Sequence, residues 1–138
     1  MIEPGLPPDW DPAITLHPLR IWIHGQPQDG WLDVTARCST PHAVSIVRGS
    51  LIHLDELREW HSQLVKVRES MSGTALLNTD EGLILARITL HDRRGELEIR
   101  LTADPFTEQH VYTDGIDQSY LPALINDIAR ALRDLSTA

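Results

Sequence analysis

Seven histidines, twenty acidic side chains and a single cysteine are the groups with which this chain could do chemistry. Chemistry needs them at defined spacing. His17, His24, His42, His53, His61, His91 and His110 are scattered, and no two stand four residues apart on a helical stretch. The paired spacing of a closed metal site is therefore missing. No GxxxxGK[ST] or GxGxxG loop is present to cradle a phosphate, and there is no HExxH, CxxC or GxSxG. Glu96 and Glu98 share one face of a strand, a spacing that could serve general acid/base work. Alternating acids on a solvated strand face more commonly pair with bases, here Arg87 or the neighbours of Arg100. Cys38 can form no intrachain disulfide, and in Ala36-Arg37-Cys38-Ser39 it falls on the apolar side, as a small core residue. The expectation is no catalytic residue, no cofactor and no metal.

Two constellations suit binding instead. From Leu101 to Ala129 there is no Lys or Arg, whereas Asp104, Glu108, Asp114, Asp117 and Asp127 all occur. If a strand over Glu108–Thr113 leads into the last helix, Asp104, Glu108, Asp114 and Asp117 gather near one end of the sheet. Such a patch steers a basic partner electrostatically. The plainer reading is loop acidity that favours solubility. The second constellation is the outer face of the opening hairpin. Trp22 and Trp31 alternate there with Arg20, His24 and Arg37, opposite Leu19, Ile21, Leu32 and Val34. Tryptophan and arginine are enriched in binding hot spots. A covering layer, such as the segment around Trp10, would turn the same residues into core.

These side chains must be positioned by short strands and two helices. Leu19–His24 and Leu32–Cys38 alternate with a period of two across a Gly25…Gly30 turn, as half-buried antiparallel strands do. Ala43–Val47 continues the sheet. The period then changes: Leu54, Leu57, Trp60, Leu64 and Val67 recur every three or four residues and predict a helix over 54–70, with Asp55 and Glu56 in its first turn. Gly73 is expected to stop it. Thr74–Leu77, Leu83–His91, Glu96–Thr102 and Glu108–Thr113 read as four further strands. Asp92-Arg93-Arg94-Gly95 forms a hairpin loop, with Gly95 suited to a positive φ. Leu121, Leu124, Ile125, Ile128, Ala131, Leu132 and Leu135 stripe a final helix. Asp117 or Gln118 can cap that helix, and Pro122 fits its first turn.

The order β-β-β-α-β-β-β-β-α predicts an α+β fold, an antiparallel and mainly meander sheet of six to seven strands with both helices packed on one face. Residues 1–13, with Pro4, Pro7, Pro8 and Pro12, read as an irregular lead-in, and 14–138 as a single α+β domain. At 138 residues and 41% hydrophobic, the chain can bury a core without disulfides. Its formal net charge of -8 repels nucleic acid and anionic lipid, so neither is expected as a partner. A start without a basic, apolar leader and the absence of a run of about 20 apolar residues predict a cytoplasmic protein.

Several stretches, in this order, resemble the WapI-like immunity proteins, small bacterial cytoplasmic proteins that neutralise the toxin domains of contact-dependent polymorphic toxins. They are Trp31-Leu32-Asp33-Val34-Thr35, Leu54-Asp55-Glu56-Leu57 with Gln63-Leu64, Gly73-Thr74-Ala75-Leu76, Gly95-Glu96-Leu97-Glu98-Ile99 and Asp117-Gln118-Ser119-Tyr120-Leu121. Together they span residues 30–135. The resemblance implies an inhibitor without catalytic residues whose partner is a cognate toxin domain, often a nuclease. The expectation is then a monomer or homodimer that occludes a basic toxin domain through Asp104, Glu108, Asp114 and Asp117, with Trp22 and Trp31 as anchors. The competing expectation is a small enzyme or ligand-binding domain with a pocket between sheet and helices.

Overall fold

The computed structural model describes residues 8–79, 82–104 and 108–136, without the side chains of residues 103, 104, 108 and 136. The first seven residues of the lead-in, and Asp80 and Glu81 of the turn after Asn78, lie outside the described residues. Eight strands form two four-stranded antiparallel sheets. The first holds β1 (Ile14–Leu16), β2 (Leu19–Gln28), β3 (Trp31–Thr40) and β4 (Ala43–His53). After helix α1 (Leu54–Ser70) comes the second, with β5 (Ser72–Asn78), β6 (Ile84–His91), β7 (Arg94–Asp104) and β8 (Glu108–Asp117). A 3-10 turn over Gln118–Tyr120 leads into helix α2 (Leu121–Ser136).

The α+β class holds, but one meander of six to seven strands does not. The reason is α1, which occupies the link between β4 and β5, so that no ladder joins those two strands. Each meander is complete in itself. The eighth strand is β1, whose three residues are too few to show a period. Nor do both helices sit on one sheet face: α1 packs along β5 and beside β4, while α2 lies against α1 and β1. The sheets meet where β7 crosses β3 and β4. A continuous cluster results, running from Ile21 and Val34 through Leu57, Trp60 and Leu64 to Ile88, Ile99 and Ile128. Each fully buried aliphatic side chain in it contributes about 1.5–3 kcal/mol relative to exposure. None of the described helices is long and apolar enough to cross a membrane.

Local chemistry sets the element ends. Asp29 (φ 53) and Gly30 (φ 84) form the two-residue turn between β2 and β3, the positive-φ pair that matches strand twist. A Cβ on Gly30 would stand 2.5 Å from His53 Nε2, so this turn and the start of α1 are packed together. His53 caps α1: its Nδ1 accepts from Asp55 N at 3.1 Å, and its own N donates to Glu56 Oε1 at 2.7 Å. Met71, not Gly73, ends the helix by entering the left-handed region. The β6–β7 hairpin likewise departs from expectation. Its positive φ angles belong to Asp92 and Arg93, and Gly95 is needed because Thr89 O would lie 1.6 Å from a Cβ there.

Candidate functional site

Of the four candidate acids, Asp104 ends β7, and Glu108, Asp114 and Asp117 fall on β8. β8 is a terminal strand of the second sheet, paired on one side with β7. Its register sets Glu108 opposite Asp104, Asp114 opposite Leu97 and Asp117 opposite Arg94. Six residues at about 3.3 Å each separate Glu108 from Asp114, roughly 20 Å along the strand. The four acids therefore do not gather at one end of the sheet. Asp104 ends β7 opposite Glu108 at the start of β8, and Asp114 and Asp117 lie at the finish of β8.

At the finish the carboxylates are held by local bonds. Asp114 accepts from Tyr112 Oη at 2.9 Å and from Gly115 N at 2.8 Å. Asp117 accepts from Ser119 N at 2.8 Å and from the Ser119 hydroxyl, and so caps the 3-10 turn that opens α2. Those bonds from Ser119, with a smaller contribution from Arg94, hold its carboxyl below the ordinary aspartate value of 3.8. A depressed folded-state value means the cap is fully present above 3.8 and is lost as pH falls through the lower folded value. A carboxyl-detected NMR titration should accordingly place the Asp117 midpoint below 3.8, and Ser119→Ala should raise it.

The tryptophans separate. Trp22 is 3% exposed, because the segment around Trp10 lies against it. Its indole donates to Trp10 O at 2.6 Å, and the Trp10 ring stands edge-on to His24. Burial leaves Trp22 no area for a partner in the folded chain. Trp31 is half-buried on the first sheet, edge-on to His53 at 5.1 Å beside the α1 N-terminus. It is on the other sheet from the acids, so the structure does not unite the six residues into one patch.

The remaining chemistry-bearing side chains are accounted for similarly. Glu98 is held by Arg87 and, at 2.9 Å, by Arg100, so it is no free acid or base. Arg87 and Glu98 line an open hollow of about 610 Å³ on the solvent face of the second sheet, with Glu96 and Thr113. The hollow is thus not between sheet and helices. Among the described residues no three His, Cys, Asp or Glu side chains converge to hold a metal. Burial pushes the Cys38 thiol up to about 11. It should stay unmodified by maleimide at pH 8 in the folded chain and react once denaturant is added.

Sequence reasoning missed one feature. Val44 and Val111 are 56% and 49% exposed and flank a cleft between the starts of β4 and β8. His110 lines it, with Nε2 3.9 Å from Sγ of the buried Cys38. Parity was the available signal: Val111 is out of phase with the inward-facing Tyr112 and Ile116.

Compared with known proteins, the chain matches the family model described as the Immunity protein WapI-like family over residues 13–136. No curated protein matches it. Among solved structures it is similar to a chain of the CdiA-CT/CdiI toxin and immunity complex from Enterobacter cloacae. The identity is 11%, covering 86% of this chain and 98% of that one, with a TM-score of 0.36.

Proposed function

The chain belongs to the WapI-like immunity protein family, and from that premise we propose that it neutralises a cognate toxin domain by binding it. The observation that carries this reading is the family match, which takes in both sheets and both helices. The proposed contact surface is the β8 side of the second sheet, with Asp104, Glu108, Asp114 and Asp117 facing a basic toxin surface. Trp31 is a separate anchor at the far sheet. A nuclease holds phosphates in a basic groove, and carboxylates can occupy such a groove as phosphate mimics. A nuclease domain is therefore the proposed class of toxin, and the cytoplasm the proposed place of action.

The test uses the toxin domain encoded in the reading frame beside this one. Its production should arrest growth, and co-production of this chain should restore growth, with the two proteins purifying as one complex. Arrest that persists despite abundant folded chain would overturn the reading. The competing ligand-binding role predicts instead a large, saturable thermal stabilisation by one metabolite or metal.

A further inference from the structure

The four terminal strands differ in how their free edges are closed. Long open edges invite pairing with another chain, so proteins normally cover or break them. On β1, the outward Thr15 N donates to Asp127 Oδ2 of α2 at 3.1 Å. On β5, the outward Leu76 N donates to Gln63 Oε1 of α1 at 2.7 Å. β4 is interrupted by an extra residue at Leu51 and by Gly49 at φ 153, which bend its edge. From Gln109 to Asp117, β8 has neither a helix cap nor a bulge.

The ladder shows which groups are free. Gln118 N donates to Arg93 O, so even-numbered residues bond to β7 and odd-numbered ones turn outward. Gly115 N does turn outward, and the Asp114 carboxylate takes it. Gln109, Val111, Thr113 and Asp117 remain, and among the described residues the backbone N–H groups of Val111 and Thr113, in the middle of this edge, have no partner.

We propose that the Gln109–Thr113 edge of β8 receives an extended segment of the toxin domain, paired backbone to backbone. This deepens the immunity reading and rests on it. Backbone pairing supplies affinity, and side chains at alternate positions supply specificity. Charge selects the occupant. Glu108 precedes the open stretch, Asp114 and Asp117 follow it, and no Lys or Arg lies between Leu101 and Ala129. A fitting segment carries Lys or Arg at both ends and an apolar side chain between them, over exposed Val111 and Val44. A second copy fits poorly, because antiparallel β8–β8 pairing about Tyr112 sets Glu108 beside the Asp114–Asp117 end of its mate. Like charges so placed oppose pairing.

Proline at Thr113 removes an outward N–H and no bond to β7, a placement that edge strands tolerate. Thr113→Pro should therefore melt near wild type yet bind the neighbouring-frame toxin domain about 10-fold more weakly, as the loss of one backbone hydrogen bond implies. Hydrogen exchange on the wild-type complex gives an independent readout, with the Val111 and Thr113 amides slowing on binding. Unchanged affinity of a folded Thr113→Pro chain would overturn the proposal. So would a complex in which both amides exchange as in the free chain, which also decides the matter if the variant does not fold. Slowing that grows with the concentration of this chain alone would assign the edge to a second copy and overturn it too. A wild-type chain that fails to bind the toxin domain would bring down the immunity reading itself, a distinguishable result.

Discussion

Gly95→Ala should remove a large part of the stability of the folded state. A Cβ at this position would stand 1.6 Å from Thr89 O, 2.7 Å from Thr89 C and 2.8 Å from Leu90 Cα. All three are backbone atoms of β6, opposite Gly95 across the hairpin, so no side-chain rotation relieves the clash. Relief requires β6 and β7 to part, and they are the two central strands of the second sheet. Their inward Ile88, Leu90, Leu97 and Ile99 would part with them, all at most 1% exposed. The expected cost is above about 4 kcal/mol, the range reserved for backbone clashes and core disruption. Domains of this size have about 5–15 kcal/mol in total. Gly115→Ala is the matched comparison on the adjoining strand, since its nearest contact would be Gly95 O at 3.9 Å. Urea melts followed by circular dichroism should show Gly115→Ala close to wild type. A Gly95→Ala midpoint equal to wild type would contradict the geometry.

Reversing Asp104, Glu108, Asp114 and Asp117 to lysine together should slow association with the toxin domain. Four reversals add 4 × 2 = 8 charges to a formal -8, giving zero, so a control must hold net charge constant. Asp9, Asp11, Glu59 and Glu69, all exposed and away from β8, serve for that second quadruple variant. At 0.01 M salt the β8 variant should associate about 10- to 1000-fold more slowly, the span that electrostatic steering covers. The gap should narrow at 0.15 M, where the Debye length falls from roughly 30 Å to about 8 Å. Stopped-flow mixing measures both. Equal rates for the two quadruple variants would show that overall charge, and not the β8 edge, guides the encounter. Asp117 also caps the turn into α2, so a melt should accompany the kinetics.

Much of the fold was legible because the elements are long and regular. The stripe Leu57, Trp60, Leu64 and Val67 marks α1 over its full length, and Leu97, Ile99 and Leu101 mark β7 by alternation. Other features were not local properties. That α1 divides two sheets depends on whether β4 and β5 pair, which no window of sequence records. Trp22 alternates with Ile21 and Ile23 as an outward residue should, and the covering segment around Trp10 is not visible in that alternation; the Trp10 carbonyl that receives its indole shows it only in three dimensions. Gly95 sits in a plausible turn tetrapeptide, yet its requirement comes from a cross-strand carbonyl. The acids were visible as a run without bases, but their division between the two ends of β8 follows from strand length. Equally, the open edge of β8 became apparent only once Asp127 and Gln63 were seen to close two others.

The central claim is that this chain acts by occupying a surface and not by turning anything over. Titrating a fixed concentration of the neighbouring-frame toxin domain with the chain, well above their dissociation constant, tests it most directly. Residual toxin activity should fall in a straight line to zero at one chain per toxin and should return when the complex is separated. Complete and lasting inactivation by a small fraction of an equivalent would mean catalysis, and would contradict the account.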